Sequence, residues 1–467
     1  MTISNVFNVE IVTPSTGWPT QTPSYLPVVP NLAGYGVSTL AGYGVNTRGD
    51  NVQVLYVTTL ANSGTGSLSE TMSRNIGGAA RVIVFNVEGY SGNAFISSGL
   101  PHTTIAGQTA PGKGYCLRGT RLLIDADDFL VQHFRVRPGD GSVPGPQLPK
   151  DRSGLAMQDC ARVVFDHCSV SWAGDEGISV YRSSVDCTVS HCISMQNLDL
   201  VGDGGANAHA FMCGGGSGNN PLRTTWIGNL AGHIGHRAPL VRNAAVVFVN
   251  NVIYHWYGSW GCGALESDTN FLDLDNVTAV NNYYKHGPSP PLVAPWRVRG
   301  TETVFGCNVN SKLYLEGNSV NGSIPSQVSM CSFGTGRSAA QNFLTAPSAR
   351  PVWHTGIVPA AHNDAYTLVL QGVGAFSANR DSLDAQLIVD VTTGTSSGTD
   401  PTSNPAPYPI YGSAVRDHRI SFNYPSGFDP IPDGASGRPA PGTINGGTGR
   451  TLIEEWCNRR AAEVEAV

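Results

Sequence analysis

The stretch His236-Arg237-Ala238-Pro239-Leu240-Val241-Arg242 sets two guanidinium groups five residues apart around a proline. On one extended strand that offset would send the two side chains to opposite faces, because side chains alternate with period two. A bend near Pro239 turns both toward one cleft. Guanidinium is planar, permanently charged and forked, the shape that holds a carboxylate through two parallel hydrogen bonds. Two such groups converging suit an anionic substrate that carries planar carboxylates. The competing reading is a pair of solvated surface arginines. With a net charge of −6, the chain has no global field for polyanions, so anion recognition must be local and nucleic acid is not an expected partner.

The elements that position this pair are read from composition and repetition. Among 467 residues, 13% are charged and 56 are glycine. The first is about half the usual share and the second well above the usual ~7%, which disfavours helix-rich architectures. From about residue 115 to 320 an apolar alternating segment, a polar or small corner and a loop of variable length recur. Examples are Val163-Val-Phe-Asp-His-Cys-Ser-Val170, Cys187-Thr-Val-Ser-His-Cys-Ile-Ser194, Val246-Val-Phe-Val-Asn-Asn-Val-Ile-Tyr254 and Val277-Thr-Ala-Val-Asn-Asn-Tyr-Tyr284. His167-Cys168 and His191-Cys192 are 24 residues apart, and Asn250-Asn251 and Asn281-Asn282 are 31 apart. Such periods, carried by strand-length β-branched units, predict an all-β solenoid, a right-handed parallel β-helix with asparagine, cysteine and aromatic ladders inside. The site of a solenoid lies on the variable loops between its rungs.

Residues 1–35, rich in Pro, Ser and Thr, read as an N-terminal arm or attachment segment, residues 36–384 as the β-helix, and residues 385–467 as an irregular tail packing on it. Ser67 and Glu70 have capping-box spacing for a short helix, and Leu452–Asn458 reads as a terminal helix. Ten cysteines occur without paired C-x-x-C sets, so buried thiols are expected rather than structural zinc. Met1–Val6 lacks a basic or apolar leader pattern and no run of 18 apolar residues occurs, so neither conventional secretion nor a membrane location is expected.

Gly64-Thr-Gly-Ser-Leu68, Ala80-Arg-Val-Ile-Val-Phe85, Thr104-Ile-Ala-Gly-Gln-Thr-Ala-Pro111, Val163–Trp172 and Arg237-Ala-Pro-Leu-Val-Arg242 together, in this order, resemble the pectate lyase family of polysaccharide lyases. The similarity covers most of residues 33 to 395. It implies β-elimination on a uronate-containing polysaccharide, pectate or a bacterial exopolysaccharide. On this resemblance Arg237 is the base that takes the C5 proton and Arg242 the clamp on the substrate carboxylate. A free guanidinium has a pKa above 12; the family answers this by holding the base near other cations and calcium. Calcium is the implied cofactor, and Asp175 stands where the family has one ligand. Ser179 stands where a second aspartate is common; Glu176 compensates, and Asp151 is near a third position, offset by about two residues. His209 falls at the place of a substrate-contacting lysine and is usable there as an acid or base. His236, Trp172 and Arg182 are assigned to substrate binding. Asp166 is given to corner hydrogen bonds rather than to metal.

Two other classes compete. A virion-attachment or phage tail protein, a homotrimer in the manner of such spikes, keeps the coil without efficient chemistry and fits a chain lacking a leader. A glycoside hydrolase needs paired carboxylates at a set separation, and only Asp175-Glu176 offers an adjacent acidic pair near the cleft. Gly394-Thr-Ser-Ser-Gly398 matches a nucleophile-elbow pattern but lacks the strand before it and the helix after it. Gly214–Gly218 reads as a loop beside the cleft.

Overall fold

A computed structural model of the chain describes residues 26–92, 96–139, 151–198, 208–215, 222–258, 261–267, 273–291, 293–301, 306–396, 431–435 and 437–465. Most of the expected N-terminal arm, residues 397–430 of the expected tail and residues 216–218 of the expected loop lie outside these residues, while Gly214 and Gly215 end the strand His209–Gly215.

The chain winds as a right-handed coil, and after the first two strands of the long sheet, Val52–Val57 and Ala80–Phe85, each turn contributes one strand to each of three parallel sheets. One turn shows the pattern: Val163–Asp166 lies in a long sheet, Ser169–Ser171 in a flank sheet, Glu176–Arg182 in the sheet that bears the cleft, and Cys187–Ser190 is back in the long sheet. Among the described residues the long sheet has 11 strands, from Val52–Val57 to Phe343–Leu344, and the other two have nine each. Neighbouring strands are parallel throughout, for example Val163↔Phe129 and Val164↔Thr188. Parallel pairing between consecutive turns needs a full circuit of chain between partners, and the repeat of apolar segments supplies it.

The interior is one continuous apolar column from Leu55 and Leu68 through Phe165, Phe211 and Trp226 to Met330. Inside it Tyr115 and Phe134 are stacked at 5.6 Å and Phe211 meets Trp226 at 4.9 Å. Each buried side chain of this size contributes about 1.5–3 kcal/mol. At the corner between the long and flank sheets, successive turns place His133, His167, His191, Asn250 and Asn281 at φ between 49° and 54°, and Gly228 and Gly317 at 69° and 62°. Asparagine and glycine are the residues that enter this left-handed region most readily. One residue further on lies the expected asparagine ladder. Asn251 Nδ2 donates to Asn282 Oδ1 at 3.0 Å, Asn282 Nδ2 donates to Asn318 Oδ1 at 2.8 Å, and Asn229 Oδ1 accepts the Cys192 amide at 2.9 Å. All ten cysteines are free thiols and nine are buried.

Two segments flanking the coil depart from expectation. The boundary placed after residue 384 falls inside a helix, Ser382–Thr393, whose N-cap Asp381 accepts the Asp384 amide at 2.9 Å. The irregular tail therefore begins as packed helix. That helix and His362–Gly372 cover the outer face of the flank sheet, burying Val369, Leu383, Leu387 and Val391 against Trp172, Ile193, Met195 and Leu230. Buried Arg137 bonds Asp381 at 2.7 Å and Asp384 at 2.8 Å, and buried Arg135 lies 3.2 Å from Asp384. Gly394, the first residue of the elbow-like pattern, is this helix's left-handed cap. Described residues of the expected arm are seated rather than loose: Val28 and Leu32 are buried on the long sheet, beside the terminal helix, which spans Leu452–Val464 and is capped by Thr451. The helix Leu68–Ser73 forms as expected, its Glu70 amide capped by Ser67 at 3.2 Å.

Candidate active site

Strand register lays out a cleft of about 570 Å³ on the outer face of the third sheet. Ala156, Ser179, Met212, Leu240, Ala264 and Arg297 stand in one row across successive strands. Gln158, Tyr181, Gly214 and Arg242 form a second row, and Glu176, His209 and His236 a third. Met212, Leu240 and Ala264, with Tyr181 against them, make a small apolar floor, and the ionisable groups stand around it.

Arg237 and Arg242 both line this cleft, so the pair does converge. Arg237 has φ +66°, the Ala238–Pro239 peptide is cis, and the strand Leu240–Arg242 follows at once. The Arg237 guanidinium is paired with Glu176, and Arg242 Nε lies 3.3 Å from the buried carboxylate of Asp273. Asp175, Glu176, His209 and His236 are brought to the same cleft. The Ser153 hydroxyl stands 3.4 Å from Asp175 Oδ2 and 3.5 Å from Glu176 Oε2, and His209 Nδ1 lies 3.8 Å from Asp175 Oδ1.

The electrostatics differ from expectation at His209. Burial, and then the charge of Arg237, hold its imidazole down to about 3. His236 is pushed well below the usual range by burial and by the charges of Arg237, His209, Arg299 and Arg297. Both rings are neutral near pH 7, so His209 does not serve there as an imidazolium acid; it is an edge-on neighbour of His236 at 5.9 Å and offers a neutral nitrogen. The Glu176 carboxyl is raised by burial and by the adjacent Asp175 charge.

That mutual repulsion is the observation that bears on a metal. Asp175, Glu176 and His209 each present a ligand atom within 4.8 Å of the others. Two crowded carboxylates beside a hydroxyl fit a hard dication, which relieves their repulsion; the further oxygens of a six- to eight-coordinate calcium would come from substrate and water. Ser179, buried in the cleft wall, adds no charge to the set.

Three expected residues are placed elsewhere. Trp172, at φ +65°, is 2% exposed and turned beneath the two covering helices, with the Arg137 guanidinium 5.9 Å from its ring, so it cannot meet substrate. Arg182 lies outside the cleft lining, exposed at its strand's end, 3.5 Å from Asp159. Asp151 is exposed, does not line the cleft, and acts on Arg121 of the cleft through its charge. Conversely, Arg121, Glu266 and Arg299 line the cleft without having been singled out in the sequence. Arg299 is paired with Glu266, and both are nearly buried. Their only sequence signal is a charged residue flanking a strand segment, as in Trp296-Arg-Val-Arg299.

The chain is 32% identical over 353 residues to a protein described as probable pectate lyase C from Aspergillus fumigatus, covering 73% of each. The chain belongs to the pectate lyase family. Its counterpart of the same description in Aspergillus flavus is 30% identical over 451 residues, 93% of this chain and 94% of the relative. No family model matches the chain. Solved structures agree in fold: the major allergen from cedar pollen superposes with a TM-score of 0.50 at 16% identity, covering 73% of this chain and 91% of that one. A Bacillus subtilis pectate lyase gives 0.50 at 13% identity, covering 73% and 96%. The protein is accordingly a polysaccharide lyase with the parallel β-helix of that family.

Proposed function

We propose that the chain cleaves pectate or a closely related polyuronate by β-elimination in the Arg237–Arg242 cleft. The observation that carries this reading is the meeting of two arginines with a crowded carboxylate pair in one cleft. Arg237 acts as the base that takes the C5 proton of a uronate. The C4–O bond breaks, its electron pair leaves with the glycosidic oxygen, and the C5–H pair becomes the C4=C5 double bond; water protonates the departing oxygen. Arg242, fixed against Asp273, holds the substrate carboxylate by the fork geometry that guanidinium allows. Arg121 adds positive charge to the cleft lining beside these two arginines. Neutral His209 and His236 donate or accept hydrogen bonds without competing for the proton. Calcium held by Asp175 and Glu176, with Ser153 and His209 at its margin, would supply charge that stabilises the enolate-like build-up on the substrate carboxylate.

The polymer is too large to enter a cell, so the enzyme acts outside one. The relatives are named as lyases and lend nothing to a virion-attachment role or a homotrimer. The test is ultraviolet absorbance during incubation with a panel of polyuronates, with calcium and with chelator, for wild type and Arg237→Ala. The expected result is a rise on pectate that the substitution lowers by roughly 10²–10⁴-fold, the range for loss of a general base. A flat trace on every polyuronate, or equal rates in the variant, overturns the reading.

A further inference from the structure

Away from the cleft, at the corner between the long and flank sheets, three histidines stand one above another on successive turns. His133 and His167 are stacked at 5.1 Å and 12°, His167 and His191 at 4.6 Å and 11°. Asp166, fully buried, lies beside them, and Glu465 reaches in from the end of the terminal helix.

The hydrogen bonds fix which nitrogen of His133 is basic. Its Nδ1 lies 3.0 Å from the carbonyl oxygen of Ala375, an atom that only accepts, so Nδ1 bears hydrogen. In the neutral ring Nε2 is then a lone pair. It is buried, has no hydrogen-bond partner, and faces Glu465 Oε1 at 3.2 Å. A lone pair facing a carboxylate requires a cation between them, either a proton or a metal ion. The donor atoms continue: Glu465 Oε1 is 3.8 Å from His167 Nδ1, which is 3.0 Å from Asp166 Oδ2. His133, Asp166 and His167 each present a ligand atom within 4.8 Å of the others, while Glu465, close to both histidines, lies outside that set and must swing inward to complete a tetrahedron with edges of about 3.3–3.4 Å. The supporting bonds also match a metal centre, where ligands are oriented by outer partners. The Ala375 carbonyl anchors His133, and Gln132 Nε2 at 3.0 Å and Ser190 Oγ at 2.6 Å anchor Asp166. The corner hydrogen bonds expected of Asp166 are therefore present, and they hold it as a ligand would be held.

We propose that His133, Asp166, His167 and Glu465 form a site for a tetrahedral divalent transition metal, zinc by its ligand chemistry, that pins the terminal helix Leu452–Val464 to the coil. Two nitrogen and two oxygen donors suit zinc and are too few and too soft for calcium. Access is through a cavity of about 670 Å³ between the terminal helix and His362–Gly372, on which His167 and Glu465 open.

The full chain, stripped with chelator, is titrated with zinc chloride by calorimetry in an Asp175→Asn, Glu176→Gln background, which removes the cleft carboxylates. The expected result is about one zinc per chain, weakened at least 10–100-fold by His133→Gln or by Glu465→Gln, the loss usual for damaged metal ligation. Glu465 is a third exposed near the chain end, so its substitution leaves the folded coil intact even where that of His133 does not. Cobalt added to the unsubstituted pocket should give the intense visible absorption of a tetrahedral complex. No zinc uptake at micromolar concentration in the background variant, equal uptake after Glu465→Gln, or only the pale spectrum of six-coordinate cobalt overturns the proposal.

Discussion

At the scale of single residues the cleft is an arrangement of paired charges, and its behaviour turns on which carboxylates are near which cations. Ser179 stands between Ala156 and Met212 in the cleft row and lines the cavity beside Asp175 and Glu176. Ser179→Asp adds a third acidic oxygen donor. Because ligand charge count tunes calcium affinity by orders of magnitude, the calcium concentration for half-maximal activity should fall by about tenfold. Titrating initial rate against free calcium checks this, and an unchanged midpoint counts against calcium at this place. Trp172 supplies a contrast: Trp172→Phe should cost about 1–3 kcal/mol of stability through lost packing and leave KM unchanged, as denaturation and steady-state rates would show. The arginine pair was legible in the sequence because Arg237, Pro239 and Arg242 lie within one short motif. Trp172 and Arg182 were not, since one left-handed residue decides which way a side chain faces and no periodicity announces it. Arg121, Glu266 and Arg299 come to the cleft only through register across turns, a relation between residues distant in the chain.

At the scale of elements, the repeat was readable because each turn uses the same corner chemistry, and the asparagine ladder appears where Asn250-Asn251 and Asn281-Asn282 pointed. The covering helices were harder to see. The segment Ser382–Thr393 carries its capping signal in Asp381, but its docking depends on Arg135 and Arg137, some 250 residues earlier. Those buried charges are paired with one another and with hydroxyl and backbone partners. Asp384→Ala should therefore destabilise the fold by roughly 3–5 kcal/mol, the cost of leaving two buried arginines to share the carboxylate of Asp381. Chemical denaturation is the measurement. A loss below about 1 kcal/mol would mean that the helix is held by its apolar face alone.

At the scale of the whole molecule, loss of solvent holds several histidines below their usual range. His354 is held down to about 4 by burial and by the charge of Arg223, while its ring meets Tyr35 edge-on at 5.3 Å. An unfolded chain protonates this group first as pH falls through about 6.5, so the stability it confers is complete above that value and is lost progressively down to about 4. The thermal midpoint of His354→Gln should accordingly fall less steeply than that of wild type between pH 6.5 and 4. Parallel curves would remove His354 from the acid response. The ten free cysteines carry a different consequence. Burial pushes eight of these thiols upward, Cys116 to about 11 and Cys457 to about 12, so those eight present almost no thiolate to an oxidant. With all ten thiols free, the folded chain has no disulfide for a reductant to break. Heat reverses the situation, because the opened chain exposes ten unmatched sulfurs at once, and these crosslink at random in air. Recovery of activity after boiling should thus depend on whether a reducing agent is in the tube.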